Sequence, residues 1–132
     1  MPAYTPDELV EVLYPHLGGL RFTPGYYTST DWDGDAKNGA DGIIDLSAVF
    51  GLPAGISAVA VRLAFKDETI AVTGALSQTS VLSSLGVAQQ TQVANVYIYV
   101  CGIVPCDGNG DIYWGQSDEL DNVVLRITGY WS

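Results

Sequence analysis

The acidic loop that begins at Asp31 is the segment of this chain whose residue types and spacing come closest to a reactive site. Asp31, Asp33 and Asp35 alternate in the way that turns three carboxylates onto one hard cation in a calcium-binding loop. The match fails further on, because Ala36 and Gly42 stand where such loops have a glycine and a bidentate glutamate. The sequence therefore predicts an acidic turn with no resident cofactor, and calcium held by the three aspartates stays open as the alternative.

The remainder of the chain offers no catalytic constellation. The single histidine, His16, falls at a predicted helix end and would have to serve as the base for any serine or cysteine nucleophile. Cys101 and Cys106 lack the further soft ligands of a zinc site, so two half-buried thiols are expected, with a disulfide across a turn as the alternative. A glycosidase would need two paired acids, and nothing selects a pair. We expect a protein that binds or assembles and has no catalytic residues.

Composition narrows the class of partner. Fifteen acidic residues against five basic ones give a net charge of −10, and the basic residues are scattered along the chain. A nucleic-acid backbone or an anionic membrane is therefore not an expected partner. Charged residues make up only 15% of the chain, against roughly 25% in a typical soluble domain. A surface so poor in charge favours stable packing against copies of the same chain.

Targeting signals are not evident in the sequence. No apolar run approaches the length of a membrane span, and the first residues lack the basic and apolar regions of a secretion signal. The expected location is the cytoplasm, until the protein is released as part of a larger particle. One helix is predicted near the start, over residues 6–14, because Thr5, Pro6 and Glu8 form a capping box. Residues 1–18 are read as an anchor segment and residues 19–132 as one β-sandwich domain.

Strands and turns are predicted for everything after that helix. Residues 57–66 alternate, which indicates a half-buried strand with residues 69–76 as its expected partner; its outward positions are Ala58, Ala60, Arg62, Ala64 and Lys66. In the last strand, the apolar residues at 123, 125 and 127 alternate with Asn122, Arg126 and Thr128. Residues 93–100 are apolar on both faces, which predicts a strand between two layers or under a subunit contact. Residues 107–111 form a dense turn signal. Seven to nine evenly spaced strands predict an all-β, two-sheet sandwich of the jelly-roll type.

Eight tyrosines and three tryptophans add a second possible use of the surface. Such rings stack on sugars or become buried at protein interfaces. A glycan-binding adhesin using rings near Trp32 and Trp114 is therefore an alternative to an assembling structural protein.

Four phrases recur in an order that resembles a known module. They are TSTDWDGD at residues 28–35, IDLSAVFGLPAG at 44–55, IVPCDGNGDIY at 103–113 and GYW at 129–131. Together they resemble a module found in tailed-phage genomes beside tail, fibre or head-decoration proteins, over residues 26–131. The resemblance implies a virion structural role for a β-sandwich that trimerises or caps a larger assembly, and it transfers no catalytic residues.

The leading hypothesis combines these inferences. The protein is expected to be a non-enzymatic bacteriophage virion component, of the capsid-decoration or tail-fibre type. It would assemble in the host cytoplasm as a homotrimer, with itself and other virion proteins as partners and residues 1–18 as the anchor. A receptor-binding module for cell-surface glycan is the alternative function.

Overall fold

The computed structural model describes residues 20–29, 32, 42–80 and 86–132. Several sequence-based expectations lie outside these residues. They are the helix over residues 6–14, the division between anchor and sandwich near residue 18, and the calcium alternative at Asp31, Asp33 and Asp35.

The described residues form eight strands and one short helix. In chain order these are β1 (Phe22–Tyr27), β2 (Gly42–Ile44), α1 (Leu46–Phe50), β3 (Ala58–Lys66), β4 (Thr73–Ser77), β5 (Gly86–Gln90), β6 (Ile98–Pro105), β7 (Ile112–Gln116) and β8 (Asn122–Trp131). The first sheet has the order β1-β8-β3-β6 and the second has the order β2-β7-β4-β5. All neighbouring strands are antiparallel.

The strand order is that of a jelly roll. Four nested pairs, β1 with β8, β2 with β7, β3 with β6 and β4 with β5, make the chain one long antiparallel hairpin that is rolled into two sheets. The predicted all-β, jelly-roll-like sandwich is therefore confirmed.

Strand β3 shows how the alternation builds the core. Its inward positions include Val59, Leu63 and Phe65, which have no solvent-exposed surface, as the sequence predicts. Ala64 was expected to face solvent and is buried instead. The reason is its position opposite Tyr99 on one side and Val124 on the other, since larger neighbours cover a single methyl group.

The predicted pairing of β3 with the segment that follows it is wrong. β3 pairs with β6 and β8, whereas β4 starts only at Thr73 and belongs to the second sheet. The connecting residues cross between the sheets and are held by two carboxylates. Asp67 accepts a hydrogen bond from the Thr69 amide (2.9 Å), and Asp121 accepts one from the Glu68 amide (2.9 Å). A local turn signal cannot reveal such a crossing, because both arrangements begin with the same polar residues.

Helix α1 is absent from the sequence-based prediction, which assigned only strands and turns after the helix at residues 6–14. Asp45 caps the helix by accepting a hydrogen bond from the Ala48 amide (3.1 Å) and one from the Ser47 hydroxyl (2.9 Å). Gly51 ends it in the left-handed conformation, with φ of 74°. Leu46 and Phe50 face the core. An aspartate N-cap followed by a glycine after one turn is a recognisable signal, and it was available in the sequence.

The predicted turn between β6 and β7 is confirmed. The Asp107 carboxylate accepts hydrogen bonds from the amides of Asn109 (2.9 Å) and Asp111 (3.0 Å). Gly110 has a φ of +80°, and a Cβ placed on it would lie 2.8 Å from the backbone nitrogen of Gly55. This glycine therefore allows both the turn and its close approach to the loop that precedes β3.

A pair of glycine substitutions tests this turn. We expect Gly110→Ala to lower the free energy of unfolding by about 1–2 kcal/mol or more, because an L-residue is strained in the left-handed region. Gly108→Ala is the matched control, since nothing lies within 4 Å of a Cβ at that position. The control should stay within about 0.5 kcal/mol of the parent. Urea denaturation measures both, and equal effects would contradict the assigned role of Gly110.

Candidate functional site

The chemistry considered for the acidic loop receives no support from the rest of the described chain. Within residues 20–29, 32, 42–80 and 86–132, no group of three or more histidine, cysteine, aspartate or glutamate residues gathers into a possible metal site. The same residues contain no helix with the length and apolar character needed to cross a lipid bilayer. Calcium binding by Asp31, Asp33 and Asp35 stays a prediction.

The tryptophans proposed for sugar stacking do not form an exposed platform. Trp114 is fully buried, with its ring 6.4 Å from that of Phe65 and edge-on to Trp32 at 5.8 Å. Trp32 is half-buried and also contacts Phe50, with ring centres 6.4 Å apart. A glycan cannot reach Trp114, so its proposed role in glycan binding is wrong. The physical reason is the alternation of β7, which turns this side chain into the core.

The exposed rings lie instead on the side of the first sheet that faces away from the second. We call this surface the outer face. Tyr26 on β1 is 66% exposed, Tyr99 on β6 is 58% exposed and Ile103 on β6 is 56% exposed. Phe22, also exposed, packs on Trp131 with ring centres 4.6 Å apart. The inward positions of the same strands fill the core, so the outer face carries a second, uncovered set of large apolar side chains.

Strand β6 accounts for much of this surface and differs from its prediction. It begins at Ile98, so the valines at 93 and 96 lie before the strand, where both are exposed. Within the strand, Val104 is buried, whereas Tyr99 and Ile103 point outward. The first alternative, a strand between two layers, is therefore wrong, and cover by a subunit contact stays a prediction.

Three of the five basic residues lie on the outer face beside tyrosine rings. The guanidinium carbon of Arg62 is 5.6 Å from the ring centre of Tyr99, and that of Arg126 is 5.9 Å from Tyr26. Lys66 places its ammonium nitrogen 5.0 Å from a third ring, that of Tyr97. These distances are typical of cation–π contacts, which contribute about 0.5–1 kcal/mol each at exposed sites.

The two arginines are direct neighbours across the sheet. Arg62 on β3 and Arg126 on β8 are register partners. None of the four strands of this sheet contains an aspartate or glutamate. Like charges placed directly opposite each other destabilise a strand pair. The outer face is therefore a basic and aromatic surface on an acidic protein, and the arginine pair would be stabilised by an incoming carboxylate.

Acidic side chains gather at one end of the sandwich, in the loops after β3 and β7. The two loops are joined by the hydrogen bond from the Glu68 amide to Asp121 and by one from the Asp121 amide to the Lys66 carbonyl (3.1 Å). We call this region the acidic end. It contains Asp67, Glu68, Asp118, Glu119 and Asp121, of which all but Asp67 are exposed. The acidic end thus holds five of the eight acids among the described residues, and the other three, Asp45, Asp107 and Asp111, lie near the opposite end of β7.

A cleft of about 350 Å³ adjoins the outer face. It is lined by Thr28, Ser29, Trp32 and residues 123–126 of β8. The cleft exists because β1 pairs with β8 only as far as the register partners Tyr27 and Ile127, which leaves the first half of β8 without β1 beside it. Hydroxyl groups, one indole ring and Arg126 therefore meet at this edge.

The two cysteines lie at different depths along one stretch of chain. Cys101 is exposed on the outer face and Cys106 is buried just after β6, and both are free thiols. The disulfide alternative is wrong, because the chain between them is extended strand at roughly 3.3 Å per residue rather than a turn. Burial raises the pKa of Cys106 to about 12, and the charges of Asp107 and Asp111 add to the effect.

The sequence analysis did not predict the outer face, although it assigned several of its residues to the correct side of their strands. Arg62 and Lys66 were correctly assigned to the outward side of β3, and Arg126 to the side of β8 opposite its apolar residues. The basic residues nevertheless looked scattered, because only the pairing of β3 with β8 brings the two arginines together.

Comparison with known proteins adds no identity: no protein-family model matches the chain, and no curated protein sequence does.

Thiol counting tests the difference between the two cysteines. With the chain dilute at pH 8, we expect one fast-reacting thiol per native chain, because Cys101 is exposed. Cys106, with a pKa of about 12, would have about one thiolate in ten thousand at that pH. Reaction with an aromatic disulfide reagent should therefore give one equivalent in buffer and two in denaturant. Cys101→Ser should give none until the chain unfolds, and two fast equivalents in the native protein would contradict the assignment.

Proposed function

We propose that this protein is a non-enzymatic structural component of a tailed-phage virion, where it assembles as a homo-oligomer in a head-decoration or tail-fibre position. The observation that carries the assembly part is the outer face of the first sheet. Its exposed tyrosines, aliphatic side chains and arginines are of the kinds that dominate the binding energy of protein interfaces. Residues of this kind gathered on one face of a soluble chain are typical of an interaction surface.

The fold leaves large apolar side chains of the outer face exposed to water, and burying them would stabilise a complex. Fully burying a residue such as Ile103 is worth about 1.5–3 kcal/mol relative to leaving it exposed. Tyr26 and Tyr99 add large rigid rings that lose little conformational freedom on binding. A second protein surface laid on the outer face would recover these contributions together, because the residues share one side of one sheet.

The virion part of the proposal is supported by the four sequence phrases that resemble the phage module. Two of them span corners of the fold, and a third ends a strand. The phrase at 44–55 contains α1, the phrase at 103–113 contains the turn held by Asp107, and the phrase at 129–131 closes β8. These are architectural positions, which supports a shared scaffold rather than a shared active site.

Assembly is tested by light scattering on the purified chain. We expect a mass that is a multiple of the 14.0 kDa monomer, three being the predicted number. Ile103→Asp should shift the protein to the monomer, because a charge placed on the contact would have to be buried. Ile43→Asp is the matched control: Ile43 is 61% exposed but lies on β2 of the second sheet. A parent chain that stays monomeric at every concentration would contradict the proposal.

Cys101 supplies a second readout of the same assembly. It lies on the outer face between Tyr99 and Ile103, so oligomerisation should slow its reaction with a thiol reagent as protein concentration rises.

The location in a virion is tested separately by counting this chain in purified particles with quantitative mass spectrometry. About one copy per one to few capsid subunits would indicate decoration, and a few tens of copies or fewer would indicate a tail or fibre part. Absence from the particles would contradict the virion assignment.

A glycan-binding function is the second candidate, and the cleft beside β8 is the observation that favours it. Trp32, two hydroxyl side chains and Arg126 line this cleft, which offers both a ring and hydrogen-bonding groups to a sugar. Selective retention of the chain on a glycan array, lost in Trp32→Ala while the fold is kept, would favour this function. Retention that survives the substitution would place any sugar site elsewhere.

A further inference from the structure

We propose that the copies associate head to tail, with the acidic end of one chain bound on the basic and aromatic outer face of the next. The inference rests on the proposed homo-oligomer and adds its contact geometry and its partner surface. The occupant of the outer face is thus a second copy of this chain.

Charge complementarity selects the occupant. Arg62, Arg126 and Lys66 stand on a face whose four strands contain no carboxylate. The chain as a whole carries fifteen acidic residues, and five of them gather at the acidic end. Every copy therefore carries a face with two adjacent arginines and no strand carboxylate, and an end with four exposed carboxylates. In an oligomer of this chain the carboxylates of a neighbour are present at high local concentration, and among the described residues the acidic end holds most of them.

Charge then disfavours a face-to-face arrangement centred on the arginine pair. A two-fold contact through this part of the outer face would bring the arginine pair of one copy against the arginine pair of the other, because Arg62 and Arg126 are adjacent on central strands. Four guanidinium groups would meet, and none of the four strands carries a carboxylate. A heterologous contact avoids this, and a heterologous contact that closes on itself produces a ring such as a trimer. Head-to-tail assembly is therefore the arrangement in which each basic face meets an acidic surface.

The acidic end also has the side chains to reach a partner. Asp67 and Asp121 are engaged within the chain, since they accept hydrogen bonds from the Thr69 and Glu68 amides. Glu68 and Glu119 are exposed glutamates on the two joined loops. Their carboxylates stand on flexible stems and can pair with arginine in the bidentate geometry that makes such contacts strong. These two residues are therefore the ones to exchange in a test.

Charge reversal tests the contact from both sides. The first variant is Arg62→Glu/Arg126→Glu, the second is Glu68→Lys/Glu119→Lys, and the third combines all four changes. Each double variant should weaken self-association at least tenfold, because one of the paired surfaces then repels the other. The fourfold variant should regain the mass of the parent, since two carboxylates on its face can then pair with two ammonium groups on the joined loops of the next copy. It also keeps the parent net charge of −10, so recovery could not arise from a change in overall charge.

Sedimentation velocity on the full chain, with circular dichroism to verify folding, separates the outcomes. Arg62→Gln/Arg126→Gln is the milder variant and should weaken association less than reversal does. An oligomer that persists in the first double variant would overturn the head-to-tail contact and leave the proposed homo-oligomer standing. Failure of the fourfold variant to recover would also overturn it. A parent chain that is monomeric but retained on a carboxylated polysaccharide would overturn both and assign the outer face to a glycan.

Discussion

The pairing of β3 with β6 on one side and β8 on the other is the constraint on which the rest of the structure depends. Because side chains alternate along a strand, this one register decides that Leu63 and Phe65 enter the core while Arg62 faces outward. A slip by one residue would exchange the two sets and bury the charges. The apolar core and the basic outer face are therefore two consequences of the same pairing, and neither can change without the other.

The second sheet is fitted to the first through one large ring and one missing side chain. Trp114 fills the space between the sheets, and Gly74 lies on the neighbouring strand β4. A Cβ on Gly74 would lie 2.8 Å from the Trp114 ring and 2.9 Å from the Phe65 ring. The tryptophan is thus accommodated because β4 presents no side chain there.

The sequence predicts local features of this fold well and long-range ones poorly. The alternation of β3 and β8 and the turn at Asp107 are readable because each depends on neighbours in the chain. Helix α1 was also readable in principle, since Asp45 and Gly51 mark its two ends. The sequence could not show that the chain crosses to the second sheet between β3 and β4, because a crossing and a hairpin use the same polar residues. The arginine pair is also a long-range feature, which the sequence does not reveal, since Arg62 and Arg126 are far apart in the sequence.

The separation of charge follows from the way the turns of this fold are stabilised. Carboxylates are held in loops because they accept hydrogen bonds from backbone amides there: Asp45 caps α1, Asp67 holds the crossing after β3, and Asp107 organises the turn before β7. The pKa of Asp45 is lowered by the Ala48 amide and the Ser47 hydroxyl, which keeps its charge at the helix start. The pKa of Asp111 is raised, chiefly by burial and then by the charges of Asp45 and Asp107, so these three acids form a second cluster, across β7 from the acidic end.

The strands have no such use for a carboxylate, because their amides are bonded to neighbouring strands. Arg62 and Arg126 therefore lie on the outer face with no carboxylate on the four strands to pair with. Each of them contacts a tyrosine ring instead. A chain this acidic would repel its own copies if its charges were spread evenly. In the proposed head-to-tail contact, acids held in the loops at one end of a copy face the arginines on the outer face of the next, and the general repulsion would give way to a directional attraction. Turn chemistry and the proposed self-assembly would then depend on the same distribution of charge.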